Sequence, residues 1–102
     1  MREADFQRQV VDLAKMLGWA VWWTKWSLHS PSGWPDLVLC RPPRLVLAEL
    51  KVNASLSAAQ RESLRILAAT DVEVFCWKPN CWFQIEQVLG PEKKVIVELE
   101  GK

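Results

Sequence analysis

A chain of 102 residues has room for one domain of ordinary size, and with half of its residues apolar and a quarter charged it is neither disordered nor fibrous. Thirteen Lys and Arg against twelve Asp and Glu leave a net charge of +1, so no global field draws the chain to nucleic acid or membrane and any polyanion site must be local. Three cysteines without a CxxC pair fit reduced thiols better than a secreted disulfide scaffold. No apolar run reaches the roughly 18 to 20 residues of a membrane span, and Arg2, Glu3 and Asp5 stand where a signal peptide would be apolar. The expectation is a soluble cytoplasmic protein, one domain over residues 1–102.

Residues 3–17 predict the first helix, because Phe6, Val10, Leu13 and Leu17 recur at helical spacing while Arg8, Asp12 and Lys15 take another face. Gly18 suits its C-terminal cap. Residues 19–26 are rich in apolar, β-branched and aromatic side chains and predict a strand. Residues 27–35 hold His29, Pro31, Gly33 and Pro35 among serines and predict a loop. Two apolar runs follow, 36–40 and 45–52, close enough for an antiparallel hairpin. Prolines cannot supply the positive φ of a primed two-residue turn, which predicts a four-residue loop, Arg41-Pro42-Pro43-Arg44. Ser57 with Gln60 three residues later is a capping-box pattern, opening a second helix that runs to about residue 69. Residues 72–77 predict a strand, Pro79-Asn80 a turn, and 82–89 fit either a strand or a short helix. Gly90-Pro91 breaks that segment, and 95–99 alternate as a last strand. The order is a mixed α/β domain with helices covering a central sheet.

The hairpin register carries the chemistry. Pairing Cys40 with Leu45 places Asp36 opposite Glu49, with Cβ atoms about 4.5 to 5.5 Å apart. Alternation along the strand puts Lys51 on the face of Glu49. Two such carboxylates repel unless a cation lies between them, and oxygen ligands favour Mg²⁺ or Mn²⁺. A metal so held can activate water and neutralise a phosphate while the lysine stabilises the charged transition state, which is the chemistry of phosphodiester hydrolysis. The competing reading is a pair of solvated strand-end charges, and against it stands the apolar setting of Glu49 and Lys51 between Leu45 and Val52. Glu3 precedes Phe6 and Val10 on the first helix, and Gln60 precedes Leu64 and Leu67 on the second. Both are expected to turn inward over the sheet, although helix capping is a sufficient local reason for each.

Other residues divide between structure and function. Trp19, Trp22, Trp23 and Trp26 cannot all share one strand face; core packing is the first reading, an interface the second, stacking on unpaired bases the third. Lys25, Arg41, Arg44, Arg61, Arg65 and Lys78 are candidate phosphate contacts, or solvated surface charges. His29 is the only histidine. It has no GxSxG or HExxH companion, and with Cys40, Cys76 and Cys81 it lacks zinc spacing.

Gly33-Trp34-Pro35-Asp36-Leu37, Glu49-Leu50-Lys51 and Ser57-Ala58-Ala59-Gln60 together resemble the VRR-NUC (virus-type replication-repair nuclease) branch of the PD-(D/E)xK nuclease superfamily. The likeness runs from Glu3, with Gln7 one turn later, to about Leu89. It implies a restriction-endonuclease-like αβββαβ core and a Mg²⁺- or Mn²⁺-dependent endonuclease. By motif position Asp36 and Glu49 would be metal ligands, with the Leu50 carbonyl a third. Lys51 would serve the nucleophilic water and the scissile phosphate, Glu3 would be the helix-borne acidic residue, and Gln60 its supporting polar residue. Stand-alone members of this length look like phage or prophage proteins acting in a bacterial host, and similarity to Holliday-junction resolvases implies a homodimer on branched DNA in repair. Ala58 replaces a frequent proline, and Thr70-Asp71 a frequent glycine. The alternative is a catalytically silent nucleic-acid-binding or protein-interaction module on the same fold.

Overall fold

A computed structural model describes residues 1–23 and 33–91. Lys25, Trp26, His29 and the strand expected at 95–99 lie outside the described residues. The first helix, α1 (Glu3–Met16), ends as the sequence predicts: Gly18 takes φ +89°, its N–H donates to the Lys15 carbonyl, and Trp19 N–H reaches back to Ala14. That pair of bonds is a Schellman cap, whose left-handed residue favours glycine. The buried stripe of α1 is Phe6, Val10, Val11 and Ala14, with Leu13 and Leu17 at its flank. The predicted stripe is therefore rotated slightly, because the helix packs on both the sheet and a third helix.

Four strands follow in the described residues: β1 (Ala20–Trp23), β2 (Leu37–Arg41), β3 (Arg44–Leu50) and β4 (Glu73–Trp77), joined in the order β1-β2-β3-β4. The first three are antiparallel neighbours, and β4 is parallel to β3. A parallel pair needs a crossover, which is supplied by α2 (Ala58–Ala68). The β2–β3 register is the predicted one, with Cys40 opposite Leu45 and Leu37 opposite Ala48. Its turn differs from the expectation: Arg41 pairs with Arg44, so Pro42 and Pro43 alone form the reversal, with the peptide between them cis. Primed turns are not the only two-residue solution, and the four-residue loop is not found. Residues 82–89, ambiguous in sequence, form the helix α3 (Trp82–Leu89) after a 3₁₀ turn at Pro79–Cys81. The burial of Ile85 and Leu89, spaced four residues apart, is the helical solution to that apolar run.

The two faces of the sheet differ. Leu37 and Leu39 of β2 with Val46, Ala48 and Leu50 of β3 face the core, together with Phe6, Val10, Trp77, Ile85 and Leu89. The alternate positions, Leu47 and Glu49, lie on the opposite face, the one that α2 crosses on its way to β4. Trp19 is buried, which bears out core packing for that member of the cluster, whereas Trp22 and Trp23 are 57% and 43% exposed.

Arg41 and Arg44, candidate phosphate contacts in the sequence, hold helix ends instead. Arg41 Nη1 donates to the carbonyls of Leu17 (2.9 Å) and Leu89 (3.0 Å), and its Nη2 to Gly90 (2.9 Å). Arg44 Nη1 donates to Val88 (2.8 Å), and its Nε and Nη2 grip the Glu73 carboxylate at 2.8 and 2.7 Å. Both guanidinium groups lie over the Trp19 ring, 4.7 and 5.1 Å from its centroid, and the indole N–H donates to Leu89 (2.8 Å). Cations suit the negative ends of α1 and α3, and the fork of arginine serves several carbonyls at once. Arg44 in turn holds the Glu73 carboxyl below its usual range.

Candidate active site

At the other end of the β2–β3 hairpin the ladder ends at Leu37–Ala48, and Asp36, one residue before β2, lies beside Glu49. Its Oδ2 accepts from Leu50 N–H at 2.9 Å. The segment leading to it is laid against α2. Gly33 has φ +89°, and a Cβ there would stand 2.5 Å from the Ala59 carbonyl oxygen and 2.8 Å from Ser63 Oγ. Glycine at this position thus reflects close approach of two backbones as well as the left-handed conformation.

Glu49 is 2% exposed. Its Oε2 accepts from Gln60 Nε2 at 2.8 Å and lies 3.7 Å from Lys51 Nζ, while Oε1 is buried without a partner. Burial first, and the Asp36 charge second, push its carboxyl from 4.5 up to about 7, with Lys51 pulling the other way. Lys51, half-buried, follows β3 and is anchored by its N–H to the Trp77 carbonyl at 2.9 Å. Cys76 pairs with Glu49 across β3–β4. Burial and the Glu49 charge push its thiol up, so it remains protonated.

Gln60 serves both roles between which the sequence did not decide. Its Oε1 accepts from Ser57 N–H (2.9 Å), and its own N–H reaches Ser57 Oγ (3.1 Å), closing the capping box. The amide nitrogen left over is the one that holds Glu49. Glu3 does not turn inward as expected. It is exposed, and its side chain forms no hydrogen bond or ion pair among the described residues. Helical geometry puts it on the side of Val10, but the first turn of α1 extends past the packed stretch, which begins at Phe6. Asp36, Glu49, Leu50, Lys51 and Gln60 are brought together, and Glu3 is not bonded to them.

Three features of this cluster were not read from the sequence: the Leu50 N–H donated to Asp36, the packing of Gly33 on Ala59, and Cys76 beside Glu49. The last depends on a parallel register set across α2, for which a single sequence carries no local signal; the Gly-x-Pro-Asp spacing marks the glycine but not its neighbour.

Among the described residues no three His, Cys, Asp or Glu side chains form a metal cage. The donor set that is present still fits a hard cation. An orphaned, buried carboxylate oxygen is costly unless an ion or a proton meets it. The neighbouring Asp36 makes the proton the alternative to the cation. The other buried orphan among the described residues is Trp77 Nε1, a donor on the core side of the sheet, for which the structure offers no explanation.

No protein-family model matches the sequence, and no curated protein sequence matches it. A solved structure does: the Holliday junction resolvase Hjc from the archaeal hyperthermophile Archaeoglobus fulgidus superposes with a TM-score of 0.58 at 23% sequence identity, over 74% of this chain and 69% of that chain. The likeness establishes the fold, a mixed α/β sheet flanked by helices as in that resolvase, and the elements run in the αβββαβ order expected from the sequence.

Proposed function

We propose that this protein is a metal-dependent DNA endonuclease acting on branched DNA. The observation that carries the reading is Glu49: a buried carboxylate with one oxygen held by Gln60 and Lys51 and the other unpartnered beside Asp36. Asp36, Glu49 and the Leu50 carbonyl would hold a Mg²⁺ or Mn²⁺ ion. Such an ion supplies charge neutralisation at a phosphate and an acidified water. Gln60 fixes the orientation of Glu49 and leaves Oε1 to the ion. Lys51 places a positive charge beside the pair, where it can orient a nucleophilic water and stabilise charge developing on the phosphate. Glu3 enters only as the acidic residue that the VRR-NUC resemblance assigns.

The preference for branched DNA rests on the fold shared with a Holliday junction resolvase and on the motif resemblance. A homodimer with two sites about a two-fold axis would cut both strands of a symmetric junction, in the cytoplasm of a phage host. The test is cleavage of labelled four-way junction and linear duplex with Mg²⁺, Mn²⁺ or EDTA, by the wild type and by Lys51→Ala. Metal-dependent, junction-selective cutting that disappears with Lys51 is expected. A folded, metal-supplied wild type that cuts neither DNA overturns the reading. That result would favour the silent binding module, a second reading which has in its support that no three ligand side chains converge among the described residues.

A further inference from the structure

The structure sorts the basic side chains that the sequence offers as phosphate contacts. Arg41 and Arg44 are committed to helix ends and to Glu73. Arg65 grips Glu62 with two bonds, at 3.0 and 2.7 Å, so its charge is matched on the helix surface. Lys25 lies outside the described residues. Arg61 and Lys78 remain, and although 17 positions apart in sequence they line one pocket.

That pocket has a volume of about 400 Å³ and lies between the segment 51–57, the first turn of α2 and the end of β4. Its charged walls are Lys51, Arg61 and Lys78, and no carboxylate lines it. Lys51 is shared with the acidic site, its ammonium 3.7 Å from Glu49 Oε2. Arg61 Nη2 donates to the Leu56 carbonyl at 3.1 Å, which ties the guanidinium to the rim; its remaining N–H groups have no acceptor among the described residues. The Lys78 side chain forms no hydrogen bond or ion pair among the described residues. Three cations around one concavity focus a positive potential. On a chain of net charge +1 that concentration is local rather than a by-product of composition.

We infer that this pocket holds a phosphodiester group of the DNA strand, next to the one presented to Asp36 and Glu49, with Arg61 and Lys78 as positioning residues. The inference rests on the nuclease reading and adds the direction in which the strand leaves the acidic site, from Lys51 toward Lys78. The guanidinium of Arg61 suits a phosphate by its fork of donors, and Lys78 by its mobile point charge. Neither residue touches the reacting atoms in this arrangement.

Binding of a fluorescein-labelled four-way junction in EDTA, followed by anisotropy across a salt series, reads the pocket without cutting. The double variant Arg61→Ala/Lys78→Ala should lower the slope of log K against log salt by about one, the contribution of the one phosphate that is no longer neutralised. Arg61→Lys/Lys78→Arg, which keeps both charges, should restore it, and Arg65→Ala should leave it unchanged. Should the double variant fail to fold, Lys78→Glu, on a side chain with no bond to lose, is expected to lower the slope by at least about one. Wild-type binding with a slope that these substitutions do not change overturns the pocket. So does absence of wild-type binding in EDTA when Mg²⁺-dependent cutting is intact, and in both cases the nuclease reading stands. Absence of binding and of cutting overturns both.

Discussion

Replacing Glu49 by Gln should stabilise the metal-free protein at alkaline pH and abolish metal-dependent cleavage. Glu49 is 2% exposed, has an unpartnered oxygen, and its carboxyl is pushed from 4.5 up to about 7. Below the lower value the carboxyl keeps its proton in folded and unfolded chains alike, and it contributes nothing to pH dependence. Between the two values the unfolded chain releases the proton first, and stability falls as pH rises. Above the upper value the cost is complete, roughly 3 kcal/mol. Glutamine carries no charge and keeps an oxygen for Gln60, but it leaves Lys51 without a counter-ion and brings an amide that needs a partner, so about 1 to 3 kcal/mol of the gain should survive. For a domain of this size that is on the order of 5 to 15 °C in Tm. Urea unfolding in EDTA at about pH 5 and about pH 8.5 measures it, since the carboxyls common to both proteins cancel in the difference. An advantage of the variant that does not grow between those two pH values refutes the reasoning. Mg²⁺ at the higher pH should return stability to the wild type by mass action and do nothing for the variant.

Asp36→Asn should remove metal binding and cleavage yet leave the fold intact, because the asparagine oxygen can still accept from Leu50 N–H; calorimetric titration with Mn²⁺ alongside circular dichroism checks both halves. Gln60→Ala loses the capping box and the bond to Glu49 together, so its expected cost is about 1 to 3 kcal/mol in urea unfolding, with slower cutting. Gly33→Ala forces a side chain to within 2.5 Å of the Ala59 oxygen at a left-handed φ, and its urea midpoint should fall by the equivalent of about 1 to 3 kcal/mol. Arg41→Ala gives up three carbonyls at two helix ends and should cost about 2 to 4 kcal/mol without changing the salt slope of DNA binding, which separates it from Arg61 and Lys78.

What the sequence made legible follows the range of the physics involved. Local signals are realised in the fold: the Gly18 cap, the Ser57–Gln60 box, and the hairpin register that sets Asp36 against Glu49. Each is fixed by residues within a turn or by the period of a strand. The errors lie where another element decides. Helical spacing points Glu3 inward because it gives a direction but not the extent of the surface underneath. Arg41 and Arg44 look like surface charges until α1 and α3 bring their carbonyl ends to the same turn. The two-residue reversal at Pro42-Pro43 and the helix at Trp82–Leu89 are likewise settled by pairing and burial rather than propensity.

The β2–β3 hairpin has unlike poles. At the Pro42-Pro43 end two guanidinium groups, an indole and the carbonyls of two helices satisfy one another. At the Asp36–Glu49 end a carboxylate is left open. Protection of amides from exchange should therefore be graded along the same two strands, high and indifferent to solution conditions beside Arg41 and Arg44, lower and tunable by divalent cation beside Leu50. Such a gradient would make the hairpin a lever arm with a fixed fulcrum, in which the end that meets substrate can adjust without disturbing the end that holds the helices.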